Sequence, residues 1–111
     1  MQQPNQAPST ETTAVQHPAA MLAGQGHVIV HGNAAFVAEF GAECLGLPAV
    51  EALVAFPHEA FELLDRVLES GIPRKRRVVV HGRPRSLTVA PRREIGATEP
   101  YGVMLHLVPR E

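Results

Sequence analysis

Tryptophan is absent from this 111-residue chain, aromatic residues make up only 5% of it, and cysteine, aspartate and lysine occur once each. The lone Cys44 excludes an internal disulfide framework and any multi-cysteine zinc centre within one chain. No apolar run approaches the ~18 residues of a membrane span. The first residues lack the basic flank and apolar stretch of a signal peptide, so the expected location is the cytoplasm. With one Asp, one Lys and three Ser, one of them Ser9 near the start, nucleophile-and-base arrangements have few candidates. Gly24-Gln25-Gly26 is not followed by the helix that a phosphate-cradling glycine loop requires. The expectation is a protein without catalytic activity of its own.

What the chain does have is an apolar fraction of 45%, enough for one core and too short a length for two. Residues 1–16, rich in Gln, Thr and Pro, read as a disordered tail, and 17–111 as the folding domain. Charge is split along the chain. Residues 1–65 hold seven carboxylates and no Lys or Arg, whereas 66–111 hold all ten basic residues and four carboxylates. Such a division bears on association and orientation rather than on fold. An acidic helical half lying against a basic sheet half accounts for it within one molecule.

Residues 18–31 read as a β-hairpin punctuated by Gly24-Gln25-Gly26. Asn33 precedes AAFVAEF, where its side chain can cap a short helix that Gly41 ends. Pro48 suits the start of a second helical piece over AVEALVAF, closed by Pro57. The strongest helical pattern is EAFELLDRVLESG, 59–71, with Phe61, Leu64 and Leu68 on one face and Glu62 four residues before Arg66. After Pro73 three strands follow, RRVVVHG, RPRSLTVAP and YGVMLHLVP, joined by a tight His81-Gly82 turn and a polar loop over 92–100. Hairpin, helices, three strands: an antiparallel sheet with helices gathered on one face satisfies that order.

The strand VIVH with Asn33-Ala34-Ala35, the helix-ending Gly41, Leu45-Gly46-Leu47-Pro48 leading to Glu51-Ala52-Leu53, the helix FELLDRVLESG and the closing YGVMLHLVP together resemble a PAS domain over about residues 18–109. Gly41 and Gly46 stand closer than the family's usual spacing, so that region is abbreviated. The resemblance implies an α+β fold: a five-stranded antiparallel sheet with short helices and one longer helix packed on one face. It also implies a sensory or protein-interaction module in bacterial-type signal transduction. A cavity between helices and sheet then holds a small apolar ligand, haem, flavin or nothing. The outer sheet face or the terminal segments mediate homodimerisation and relay to an output domain or partner protein.

The large apolar side chains on the helices, Phe36, Phe40, Leu53, Phe56, Phe61, Leu64 and Leu68, are the ligand-pocket candidates, with plain core packing as the competing account. Cys44 lacks the Asn-Cys-Arg-Phe-Leu-Gln-like surroundings of the photoactive flavin branch and reads as a packed thiol. Haem in this family implies a histidine in or near the long helix; His58, just before it, is the candidate. His27 and His31 share strand parity and are expected on one hairpin face, without a third ligand, so no metal site is assigned. Glu39 and Glu43 flank Gly41 and are the candidates for a small α+β enzyme with acid/base groups in a cone-shaped cavity. Arg74, Lys75, Arg76 and Arg77 with Arg83, Arg85, Arg92 and Arg93 raise a basic-sheet nucleic-acid binder. Four of the five aromatics fall in the helical half, so that binder lacks its stacking platform.

Overall fold

In the computed structural model, which describes residues 16–110, strands β1 (Ala19–Ala23) and β2 (Val28–Gly32) form the opening hairpin. Helix α1 (Ala34–Phe40), a 3-10 turn (Ala42–Cys44), α2 (Ala49–Ala52) and α3 (His58–Ser70) follow. Strands β3 (Arg74–Val80), β4 (Arg83–Arg92) and β5 (Gly102–Pro109) close the chain. The tail expected at residues 1–16 lies, up to residue 15, outside the described residues. Among the described residues no helix is long and apolar enough to cross a membrane.

The five strands lie in the order β2-β1-β5-β4-β3, every pair antiparallel. This order brings the first hairpin beside the last strand, so β1 and β5 share the centre with β4. Alternation along each strand sends Leu22, Leu87, Val89, Val103, Leu105 and Leu107 inward, all fully buried. Phe36, Ala49, Leu53, Ala60, Leu64 and Val67 of the helical layer meet them.

Local chemistry places the helix ends. Asn33 accepts the Phe36 N–H at 2.9 Å and the Ala19 N–H at 3.1 Å, and donates to the His17 carbonyl at 2.9 Å, so one cap also ties α1 to β1. Gly71 ends α3 in the left-handed region (φ 71°), and Arg93 donates to its carbonyl at 3.0 Å, a cation at a helix C-terminus. The helix expected over 49–56 stops at Ala52 instead. The chain turns at Leu53, whose carbonyl accepts the Phe56 N–H, and the turn buries both Leu53 and Phe56 where a continuous helix facing one way would not. Glu62 pairs with His58 at 3.1 Å, one turn before it, rather than with Arg66.

The two sheet edges differ. The outer edge of β2 is covered by 46–49: Ile29 N–H donates to Leu47, Gly46 N–H to Ile29 and Ala49 N–H to His27. β3, at the other edge, pairs with β4 on one side, has no strand on its outer side among the described residues, and carries Arg74, Lys75, Arg76 and Arg77 in succession. Gly102 sits where β5 passes β1; a Cβ there would overlap the Leu22 carbonyl oxygen, which is backbone and cannot step aside. Gly102→Ala is expected to lower stability by about 1–3 kcal/mol, the usual range for overpacking. A chemical-denaturation midpoint within error of the parent would contradict this close approach.

Candidate functional site

Polar groups buried at one end of the helix–sheet interface come from distant parts of the chain. Alternation in β4 turns Arg85 to the same side as Leu87 and Val89, leaving its side chain 4% exposed. Its Nη1 donates to Glu39 Oε1 at 3.1 Å and its Nη2 to Oε2. His81, left-handed at φ 53° in the two-residue β3–β4 turn, donates Nδ1–H to the same Oε2 at 2.8 Å and stacks on Phe40, ring centroids 5.4 Å apart. The Arg85 guanidinium holds the Glu39 carboxyl below its usual range; burial opposes this and His81 adds to it. The arrangement pins α1 to the β3–β4 turn. It offers no free carboxylate for acid/base chemistry, and Glu43 stands exposed apart from it.

A second link joins the first turn to α3. His27, at φ 51° in the β1–β2 turn, is buried and its Nε2 lies 2.7 Å from Asp65 Oδ1, while Nδ1 has no partner. The expectation that His27 and His31 share one face does not hold. His27 belongs to the turn rather than the strand, and the register shifts at Met21/Leu22, leaving His31 exposed on the outer side. His58, the first residue of α3, has its side chain 85% exposed and points away from the core. Cys44 is buried with Sγ 3.2 Å from the Phe40 carbonyl. Burial, then the neighbouring Glu43, pushes its thiol pKa up, consistent with a packed thiol rather than a reactive one.

The helical aromatics form one chain: Phe36–Phe40, Phe40–Phe56 and Phe56–Phe61 centroids are 5.0, 5.6 and 6.2 Å apart. Phe36, Leu53, Phe56 and Leu64 are buried, whereas Phe40, Phe61 and Leu68 are partly buried around them. Leu68 also borders an open hollow of about 600 Å³ between the first turn, α3 and the 92–100 loop. Of the basic set, Arg85, Arg92 and Arg93 are committed to the protein itself. Arg92 donates to the Leu22 carbonyl at 2.9 Å and lies over the Tyr101 ring at 4.7 Å, and Arg93 holds the Thr98 and Gly71 carbonyls. Sequence reasoning grouped Arg85 with solvent cations; its shared parity with Leu87 and Val89 was the signal that it faces inward.

The outer side of the sheet divides in two. Met21, Val30 and Met104 lie bare on one half, and the other carries Lys75, Arg77, Ser86, Thr88 and His106. No family model and no curated protein matches the sequence, so likeness is found only in structure. The PAS domain of histidine kinase ThkA superposes with a TM-score of 0.65 at 19% identity, covering 84% of this chain and 99% of that one. A sensory box sensor histidine kinase from Vibrio cholerae gives 0.73 at 15%, covering 95% and 87%. The VqmA dimer of Vibrio cholerae, described as a LuxR-type receptor, gives 0.71 at 15% over 98% of this chain, which spans only 52% of VqmA.

Proposed function

We propose that this chain, which has the fold of PAS domains, is a sensory and protein-interaction module of a cytoplasmic signalling protein, acting as a homodimer that passes its state to an output domain or partner protein. The observation that carries the reading is the bare apolar half of the outer sheet face, where Met21 is 36%, Val30 51% and Met104 40% exposed. Contiguous apolar groups on neighbouring strands are what a second copy can cover, and covering them gains about 25 cal/mol per Å² before the costs of association. A small apolar ligand is taken by the helical layer: Phe40, Phe61 and Leu68, partly buried, shift from Phe36, Leu53, Phe56 and Leu64 to admit it. A ligand that binds one packing of helices against sheet more tightly than the other biases the domain, and the dimer carries that bias onward. The enzyme and nucleic-acid readings are less favoured: Glu39 is locked by Arg85 and His81, and three of the eight candidate cations serve internal acceptors.

Native mass spectrometry of protein purified from cells, joined to light scattering, reads both parts. The expected result is a concentration-dependent dimer that Met21→Asp/Met104→Asp abolishes while the fold persists. A monomer from micromolar to millimolar concentration would sink the pairing, and a mass equal to the bare polypeptide after mild purification would sink the ligand.

A further inference from the structure

The basic half of the outer face has an order that the sensory reading does not use. Three rows cross β3, β4 and the end of β5. Lys75 faces Thr88, which faces His106; Arg77 faces Ser86, which faces Val108; Val79 faces Pro84, whose carbonyl accepts the Arg110 N–H at 3.1 Å. Facing residues in an antiparallel sheet stand about 4.5–5.5 Å apart, and Ser86 and Thr88, two residues apart on one strand, point the same way. Two hydroxyls thus occupy the middle of a patch with Lys75, Arg77 and Arg110 at its rim. Lys75, Ser86, Thr88, Val108, Pro109 and Arg110 line a depression of about 420 Å³, within the size range of small-ligand sites, ~300–1,000 Å³.

Among the described residues no carboxylate lines this depression. Carboxylates border the adjoining hollows: Glu59 and Glu62 beside Lys75, Glu59 beside Arg77 and Arg110, and Glu39 beside Arg83 and Arg110. Glu39 is already taken by Arg85 and His81. Among the described residues, Lys75, Arg77 and Arg110 form no ion pair, and the Ser86 and Thr88 hydroxyls form no hydrogen bond. Hydroxyl donors flanked by ammonium and guanidinium groups suit a tetrahedral oxyanion, whose oxygens accept several charge-assisted hydrogen bonds at once. Ser86 and Thr88 ride on β4, paired on both sides, so the strand fixes their backbone positions before anything binds.

We propose that this patch binds the phosphate group of a small phosphate monoester, with the hydroxyls of Ser86 and Thr88 and the cations of Lys75 and Arg110 as its donors and Val108 as the apolar floor for the ester's carbon body. The site spans β3, β4 and the C-terminal end of β5, whereas Met21 and Met104 face each other on β1 and nearer the start of β5, one outer-face row beyond the Thr88–His106 row.

Phosphate monoesters are mainly dianionic at pH 7.5, their second pKa being about 6. A backbone-amide NMR titration of the full chain at that pH, with phenyl phosphate, inorganic phosphate and sodium chloride at matched ionic strength, tests the site. The expected result is saturable shifts at 75–77, 86–88 and 106–110 with both phosphates and not with chloride. Apparent affinity should fall at least tenfold in Ser86→Ala/Thr88→Ala, and likewise in Lys75→Gln, which alters an exposed position and keeps the test open if the double variant misfolds. Tighter binding of phenyl phosphate supports the ester; equal binding of the two overturns the ester and leaves a free-phosphate site. Linear, scattered shifts matching chloride, or variants that titrate like the parent, overturn the proposal entirely.

Discussion

Arg85→Ala is expected to lower folding stability by about 3–5 kcal/mol, the cost of leaving one member of a buried ion pair without its partner. For a domain of this size that corresponds to a fall in melting temperature of more than ten degrees, at about 4–8 °C per kcal/mol. The reason is geometric: both Glu39 oxygens face the guanidinium, His81 shares one of them, and little water reaches the group to replace Arg85. Glu39→Leu/Arg85→Met, which removes both charges, should recover most of the loss, because a desolvated pair contributes little net stability over apolar side chains of similar volume. The same contact sets an acid limit. Because the folded-state pKa of Glu39 is lowered, its contribution is present above the ordinary glutamate value, about 4.3, and is lost as pH falls through the lower folded value. The parent should therefore lose stability below about pH 4.3 more steeply than the apolar double variant. Urea unfolding at pH 7 and in acid measures both effects. A single-variant loss under about 1 kcal/mol would mean that the pair is solvated, not buried.

Phe36→Ala is expected to cost about 3–5 kcal/mol as well, by lost transfer energy and an unfilled cavity. Phe36 is fully buried, its ring fills the room that a Cβ at Gly32 would need, and it packs tilted against Phe40. Helix α1 has only seven residues, too few to hold itself together without that packing. Phe61→Ala, at the partly buried end of the same aromatic chain, should cost clearly less. Thermal unfolding of the two variants side by side measures the difference. Equal losses would place the anchor of the helical layer elsewhere than under β2.

Local signals in the sequence carried most of the architecture. Asn33 before an apolar run, Gly41 and Gly71 after theirs, and the turn at His81-Gly82 all mark boundaries that the structure keeps within a residue or so. The helix expected from residue 59 begins at His58. Where the reading failed, the deciding contact was distant. Nothing near Ala52 announces that the chain turns at Leu53 to bury both Leu53 and Phe56, because the reward comes from the sheet beneath. Glu39 and Arg85 lie 46 residues apart, and their pairing exists only once β4 lies beside β5. Arg85 shares strand parity with Leu87 and Val89, a signal that grouping it with the cations of a basic-sheet binder overlooks. The Phe36–Phe40 contact follows from spacing on α1, whereas the contacts through Phe56, which lies in the turn between α2 and α3, do not follow from any helical spacing. Which of the large apolar helical-layer residues are fully buried and which only partly depends on packing that no spacing records.

The bare margin of β3 has a consequence for how this chain behaves in crowded solution. An unpaired strand edge is a template on which another copy can zip, and with the β2 edge covered by 46–49 such zipping joins β3 to β3. Two β3 margins brought together antiparallel would set the Arg74–Arg77 run against itself or against Val78–Val80, and like charges at facing positions repel. The four cations thus act as a guard against edge-to-edge pairing while ionic strength is modest. Above roughly molar salt, where the screening length shrinks to about 3 Å, that guard weakens and the unpaired backbone N–H and C=O groups of β3 become the adhesive.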